Sequence, residues 1–283
     1  MTLPSPLQPD QLPCRWDDHV PVYEAAFEPL TNAFAAKALA DLNVGDPCRL
    51  IDIGAGAGGG ALMAAARGGE VLAVDASPAM ASRIASRYRH GPTSARTGSI
   101  QAICADGAAL PLPEACVDAA LSVFGIVLFP DAEAGIREVR RVLRPGGRLA
   151  IVTWTAIERY ELTARLMQAA ASVRGPQPSP GMLPAQLRYR ERAALASLLE
   201  NGGLEPESIE SVEHEWRLPS ARWIADRMCF APGMSAMLDG FGAAREAILQ
   251  AFVETLELER GRGPITLSAV AFVGIACKPG GAE

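Results

Sequence analysis

The sequence predicts an α/β fold built on a doubly wound, parallel sheet with a hairpin on its edge, seven strands in all. Three observations carry this. Short apolar runs alternate with helix-period segments from Arg49 to Trp154. A glycine cluster follows directly on the first of those runs. Hydrophobic residues make up 49% of the chain and aromatics only 6%, so a sizeable aliphatic core is available to cover both faces of a sheet. At 283 residues the chain suits one catalytic domain with insertions.

The elements follow in order. Residues 1–14 are Pro-rich and read as a flexible tail. Residues 15–46 read as a helical cap, because Val20, Tyr23, Phe27, Leu30, Phe34 and Ala38 recur at helical spacing; Gly45-Asp46-Pro47 ends it. Residues 47–154 form the α/β core. Its strands are Arg49–Ile53, Glu70–Val74, Ile100–Cys104, Val117–Val123 and Arg148–Trp154. Between them lie helices to about Arg67, over Ser77–Arg87 and over Ala132–Leu143, a polar loop at His90–Gly98 and a turn at Arg144–Gly147. Residues 155–283 hold the rest of the sheet and the insertions. Helices are expected over Ile157–Val173, Ala193–Leu199, Arg222–Arg227 and Ala236–Glu259, with a Pro-rich loop at Arg174–Gly181. Two late strands, Ile209–Trp216 and Ile265–Ala276, supply the edge hairpin, and the cap and insertions cover the strand ends.

Composition excludes several classes of function. The formal charge is −6, with 32 acidic and 26 basic residues and no basic cluster, which argues against a nucleic-acid partner. No apolar run reaches the ~18 residues of a membrane span. The N-terminus lacks the basic and apolar regions of a signal peptide. The six Cys form no C-x-x-C pair and no His lies near two of them, so neither a metal site nor a disulfide framework is expected. Free thiols in a reducing cytoplasm are the expectation.

The strongest site signal is Ile51-Asp52-Ile53-Gly54-Ala55-Gly56-Ala57-Gly58, a strand running into glycines that let backbone approach a ligand closely. Asp75 stands just past the end of the second strand, where a carboxylate can accept hydrogen bonds from both hydroxyls of a ribose. Gly54, Gly56 and Gly59 also satisfy G-x-G-x-x-G, which makes a nicotinamide-dependent oxidoreductase the rival enzyme. Asp52 argues against it, because a carboxylate there would repel a pyrophosphate seated on the helix N-terminus. It suits a ligand with an ammonium and a sulfonium group, and S-adenosylmethionine is a nucleoside carrying both. Met80 stands on the first turn of the next helix, where it can lie against a purine. Asp106 follows the third strand, where it can accept from an adenine amino group. Ser122-Val123-Phe124-Gly125 ends the fourth, where main-chain carbonyls can meet an ammonium. All lie at the carboxyl ends of strands, where open α/β sheets bind ligands.

These segments resemble the class I S-adenosylmethionine-dependent methyltransferases of Rossmann-like fold, above all the menaquinone/ubiquinone C-methyltransferase-like group and its natural-product relatives. Ile51–Gly58, Val71–Met80, Asp106–Pro111, Phe124–Pro130 and Val142–Trp154 carry the resemblance, which covers about residues 15–155 well and the rest in outline. It implies S-adenosylmethionine as cofactor. It also implies that Gly54, Ala55 and Gly56 approach its methionine part, that Asp75 holds the ribose and that Asp106 reads the adenine. Ala76, Met80 and Gly107 would border the adenine, and Phe124 would offer its carbonyl to the amino-acid end. Asn-Pro-Pro-Tyr, typical of amino-directed nucleic-acid methylases, is absent after the fourth strand.

Methyl transfer to an activated carbon needs mostly positioning and exclusion of water. A side-chain base is required only for a weakly acidic acceptor. His19 and Tyr23, four apart in the cap, are the candidate catalytic pair. His90 is expected to be exposed and idle, and His214 to be a satisfied structural histidine. Met228, Phe230 and Met234 are the candidate acceptor-pocket residues, since Met adapts to varied apolar shapes. The expected partner is a small, apolar, aromatic or natural-product acceptor, and a homodimer is compatible with this reading. A protein that binds the cofactor without turnover would share the same binding residues.

Overall fold

The computed structural model describes residues 6–43, 48–91, 97–175 and 183–280. The sheet has strands β1 (Arg49–Ile53), β2 (Glu70–Asp75), β3 (Ser99–Cys104), β4 (Val117–Val123), β5 (Leu143–Trp154), β6 (Glu205–Leu218) and β7 (Ile265–Cys277). Their spatial order is β3-β2-β1-β4-β5-β7-β6. The first five run parallel, and β7 lies antiparallel between β5 and β6. The order reverses between β1 and β4, and that switch point opens a crevice at the strands' carboxyl ends.

Alternation along each strand fills both faces. Ile51, Ile53, Val74 and Ile151 pack with Ile136 and Val139 of the helix Ala132–Val142. Leu50, Ala73, Leu121 and Val152 pack with Leu30, Phe34 and Leu39 of the cap helix Glu28–Leu42. Both sides are apolar because both are covered, as parallel strands require.

Several boundaries differ from expectation. The helix Pro78–His90 runs on through His90, which stays exposed. The turn expected at Arg144–Gly147 is absorbed into β5, whose pairing with β4 begins at Leu143 and shifts register between Val117 and Ala119. The single helix expected over Ala236–Glu259 is two, Pro232–Gly240 and Arg245–Arg260, because Gly242 turns the chain at φ 55°. The helix expected over Ile157–Val173 breaks at Tyr160. Tyr160 adopts an extended conformation and bridges to Ala269 of β7 before the helix Glu161–Arg174 begins. Residues 6–14, expected in a flexible tail, lie against the body. The Gln8 side chain donates to the Leu183 carbonyl and accepts from the Ala185 amide, while Asp10 accepts from the Gly233 amide. The turn at Gly45-Asp46-Pro47, residues 92–96, 176–182 and the first five residues of the chain lie outside the described residues.

Candidate functional site

The loop after β1 is shaped by its neighbours. The Gly54 and Ala55 amides donate to the Val74 carbonyl at 2.9 and 3.1 Å, drawing the loop over the end of β2. There Asp75 takes over: its Oδ2 accepts from the Gly56 amide at 2.8 Å and its Oδ1 from the Ser77 amide at 2.9 Å. Gly54 has φ 69°, and a Cβ on it would fall 2.7 Å from the Gly125 Cα. The two loops at the switch point therefore touch backbone to backbone. Gly54→Ala is expected to cost roughly 2–4 kcal/mol, left-handed strain plus a clash with main chain that cannot move cheaply. Gly146→Ala is its control. Gly146 has φ 75°, but its Cβ would meet nothing within 4 Å, so only the strain of roughly 1–2 kcal/mol remains. Urea midpoints of both variants measure the difference.

A cavity of about 550 Å³ opens at this point. Gly54, Gly56, Asp75, Ala76 and Met80 line one side of it, with Asp106, Gly107 and Phe124. Burial pushes the Asp75 carboxyl from 3.8 up to about 6, with its backbone hydrogen bonds opposing and Asp17 adding to the rise. Asp106 is exposed, and its Oδ1 accepts from the Ala108 amide at 2.8 Å. Among the described residues Phe124 is one of three non-glycine residues with positive φ, at 57°. That strain, at the end of β4, lays its ring on Trp154 with centroids 4.1 Å apart.

Asp52 and Ala55 do not line this cavity. They border a small one of about 20 Å³ beneath the loop, with Tyr23, Thr31 and Asn32, large enough for a single water. Asp52 is only 2% exposed. Burial, then the neighbouring Asp75, pushes its carboxyl to about 7 against a hydrogen bond from the backbone of Ala61. Asp52 thus bears on the main cavity through its charge rather than by contact.

The cap closes over the loop. Its residues Tyr23–Phe27 form a single π turn, and Tyr23 and Phe27 both line the cavity, rings edge to face at 5.8 Å. The Tyr23 hydroxyl lies 3.4 Å from Thr31 Oγ1, and a Cβ on Gly56 would sit 3.3 Å from it. Burial holds that phenol well above its usual range, so it stays a hydrogen-bond donor and is no base near neutral pH. His19 is not brought to the cavity. Its Nδ1–H donates to the Arg15 carbonyl and its Nε2 accepts from Ser235 Oγ at 3.0 Å, which occupies both nitrogens. The cap is tied down by charge. Arg83 clasps Glu24 with two hydrogen bonds, and Arg87 spans from buried Glu28 to the Ala57 carbonyl of the glycine loop. Asp17 accepts from Ser77 Oγ and from the Ala79 amide, capping the helix that carries Met80.

On the far side Phe230 and Met234 line the cavity, and Phe230 stacks on Phe27 at 4.5 Å. Met228 does not; it is wholly buried in the core. His214 is structural, but its buried Nε2 finds no partner among the described residues, and its ring lies edge-on to Phe34. The sequence reading missed Trp16, Phe129, Trp154, Tyr160 and Asp10, all of them lining residues. Trp154 ends β5, so the strand-end rule could have found it. Nothing local marks the others. Half of the chain's 4 Trp, 4 Tyr and 8 Phe border this one space.

Comparison with known proteins bears on what this geometry serves. Residues 51–151 match the family described as a methyltransferase domain. The chain is 33% identical over 224 residues, 75% of its length and 72% of the relative's, to a 27-O-demethylrifamycin SV methyltransferase of Amycolatopsis mediterranei. It is 30% identical over 189 residues, 60% of its own length and 74% of the relative's, to a ubiquinone/menaquinone biosynthesis C-methyltransferase of Acidiphilium cryptum. Among solved structures, the cyclase SpnF superposes with a TM-score of 0.61 at 19% identity over 98% of both chains, a likeness of fold. The chain belongs to the S-adenosylmethionine-dependent methyltransferases.

Proposed function

We propose that the protein transfers the methyl group of S-adenosylmethionine to a small aromatic or otherwise apolar acceptor, both held in the 550 Å³ cavity. The observation that carries this is the mixed lining of that one space, in which carboxylates and glycine backbone at the strand ends meet eight aromatic rings. The charges that bear on Asp52 and Asp75 are other carboxylates, so a cation is the ligand their site lacks.

The chain's residues fit the cofactor as follows. Asp75 keeps lone pairs free for two ribose hydroxyls after accepting from Gly56 and Ser77. Asp106 has its Oδ2 available to an adenine amino group, with Ala76, Met80 and Gly107 as apolar borders. Gly54 and Gly56 leave room for the methionine part, the Phe124 carbonyl serves its ammonium, and Asp52 supplies negative potential from beneath. Bound there, the cofactor supplies an electrophilic methyl group. The protein's part is to orient the acceptor and exclude water, by means of Tyr23, Phe27, Phe230 and Met234. Of the candidate bases, both lining tyrosines are held protonated by burial and His19 is turned away.

Calorimetric titration tests the reading. S-adenosylhomocysteine is expected to bind in the micromolar range, on the order of −8 kcal/mol, and NAD far more weakly. Tight NAD binding without an S-adenosylhomocysteine signal would overturn it.

A further inference from the structure

Among the described residues, four carboxylates line the cavity, those of Asp10, Asp75, Asp106 and Asp131, and no Lys, Arg or His does. Asp75 and Asp106 serve the cofactor in the reading above. Asp131 is engaged already: it caps the helix Ala132–Val142 through the Ala134 amide and pairs with Arg137 at 3.3 Å. Asp10 is left over. It stands in a single helical turn, Pro9–Gln11, and is fixed from two directions. Its Oδ1 accepts from the Gly233 amide at 2.7 Å, and its main-chain carbonyl accepts from Trp16 Nε1 at 3.0 Å. Position 233 makes room for the carboxylate, since a Cβ there would fall 2.2 Å from Asp10 Oδ2. That Oδ2 has no hydrogen-bond partner among the described residues, yet it is not sealed off as the unpartnered Thr153, Tyr160 and His214 atoms are. An acceptor atom on a cavity wall that is neither satisfied nor sealed is open to a ligand. Burial pushes the Asp10 carboxyl up, against the Gly233 hydrogen bond and the pull of His19, whose ring nitrogens are taken by Arg15 and Ser235. Aromatic rings stand nearby. Trp16 meets Tyr23 edge to face at 6.0 Å, and Phe27 and Phe230 stack beyond them on the same wall.

We propose that Asp10 Oδ2 anchors a protonated amine on the acceptor, so that the acceptor is an apolar molecule carrying a basic nitrogen and not one carrying a phosphate or carboxylate. The proposal rests on the methyltransferase reading above and names its substrate class. A hydrogen bond between an ammonium and a carboxylate is roughly twice as strong as one between neutral groups. The faces of the neighbouring rings attract the same cation through their quadrupoles. An anionic acceptor would enter beside four carboxylates with no basic side chain on the described walls to compensate its charge. Asp10 is thus a specificity-determining residue. An ammonium has no lone pair to attack with, so it holds the acceptor in place while another of its atoms takes the methyl group.

The test is equilibrium dialysis, at neutral pH, of naphthylmethylamine, naphthylmethanol and naphthoate, matched in size, against protein saturated with S-adenosylhomocysteine. Wild type is expected to bind the amine best and the acid worst. Asp10→Asn keeps an oxygen for the Gly233 amide and removes the charge. It should lose about tenfold of the preference for amine over alcohol, with its affinities for the alcohol and for S-adenosylhomocysteine within about twofold of wild type. Asp131→Asn removes an equal charge from the same cavity and still caps its helix, so its amine preference should stay that of wild type. The proposal is overturned if wild type binds the alcohol or the acid as well as the amine, if it binds no amine, or if Asp10→Asn keeps the preference. An equal loss in both variants overturns it too, since the carboxylates would then act only as a diffuse field. Failure of wild type to bind S-adenosylhomocysteine removes the methyltransferase reading instead, whereas a missing amine preference in cofactor-loaded protein removes this proposal alone.

Discussion

Asp75→Ala is expected to weaken S-adenosylhomocysteine binding by roughly 100-fold or more while leaving the unliganded protein as stable as before. The two effects separate because the carboxylate does opposite things in the two states. Toward a ligand it offers acceptors for two hydroxyls, and bonds to a charged acceptor contribute about 1.5–3 kcal/mol each. It also fixes the Gly56 and Ser77 amides, so its loss slackens the loop that the ligand meets. In the free protein burial opposes its charge, pushing its carboxyl up to about 6, and removing it relieves that cost. The two orphaned amides and the relieved burial then roughly cancel. Titration calorimetry reads the first effect and thermal melting the second. Unchanged affinity in a folded variant would show that the ribose is held elsewhere.

The larger effect on stability is expected from pH. Asp52 titrates near 3.8 when unfolded and at about 7 when buried in the native protein. Its native pKa is raised, so the native state binds the extra proton between those values. Its contribution to stability is complete below about pH 4 and is lost as pH rises to about 7. At about 1.4 kcal/mol per pH unit this amounts to on the order of 4 kcal/mol. Asp75 acts in the same direction. Glu24 and Glu138, held below their usual range by Arg83 and Arg141, act in the opposite one, so wild type alone does not display the effect cleanly. Asp52→Asn does. Its melting temperature, measured against wild type without ligand, should pull ahead steadily from about pH 4 to pH 7 and level off above. S-adenosylmethionine, whose sulfonium and ammonium favour the ionised carboxylate, should close that gap, and its affinity for wild type should tighten with pH over the same window. A constant offset between the two proteins across pH would mean that Asp52 is ionised throughout.

The α/β core was legible because its signals are local. Strand period, glycine cluster and strand-end carboxylate each sit within a few residues, and the fold brings Gly54, Gly56, Asp75, Ala76, Met80, Asp106, Gly107 and Phe124 to one cavity. The acceptor side was not legible, because it exists only by convergence. Phe27 from the cap, Trp154 from β5, Tyr160 from a broken helix and Phe230 from the insertion lie far apart in sequence. His19 shows the limit of spacing arguments. It is four residues from Tyr23, yet Ser235, 216 residues away, decides where its ring goes. Met228 and Met234 look alike in sequence and both pack in the core, yet only Met234 also reaches the cavity.

The place of β7 has a consequence for how the chain is made. Among the described residues β6 pairs only with β7, and β7 also closes the ladder with β5 across more than a hundred residues of sequence. A ribosome working from the N-terminus delivers the first five strands and β6 long before β7, so β6 waits without a partner and β5 with one edge bare. The bridge from Tyr160 to Ala269 waits with them. The glycine loop and its carboxylates can therefore take shape during synthesis, whereas the aromatic wall is completed only after the final strand emerges. Nascent chains stalled before Ile265 should thus be the vulnerable species, with an open strand edge that a protease or a second nascent chain can reach.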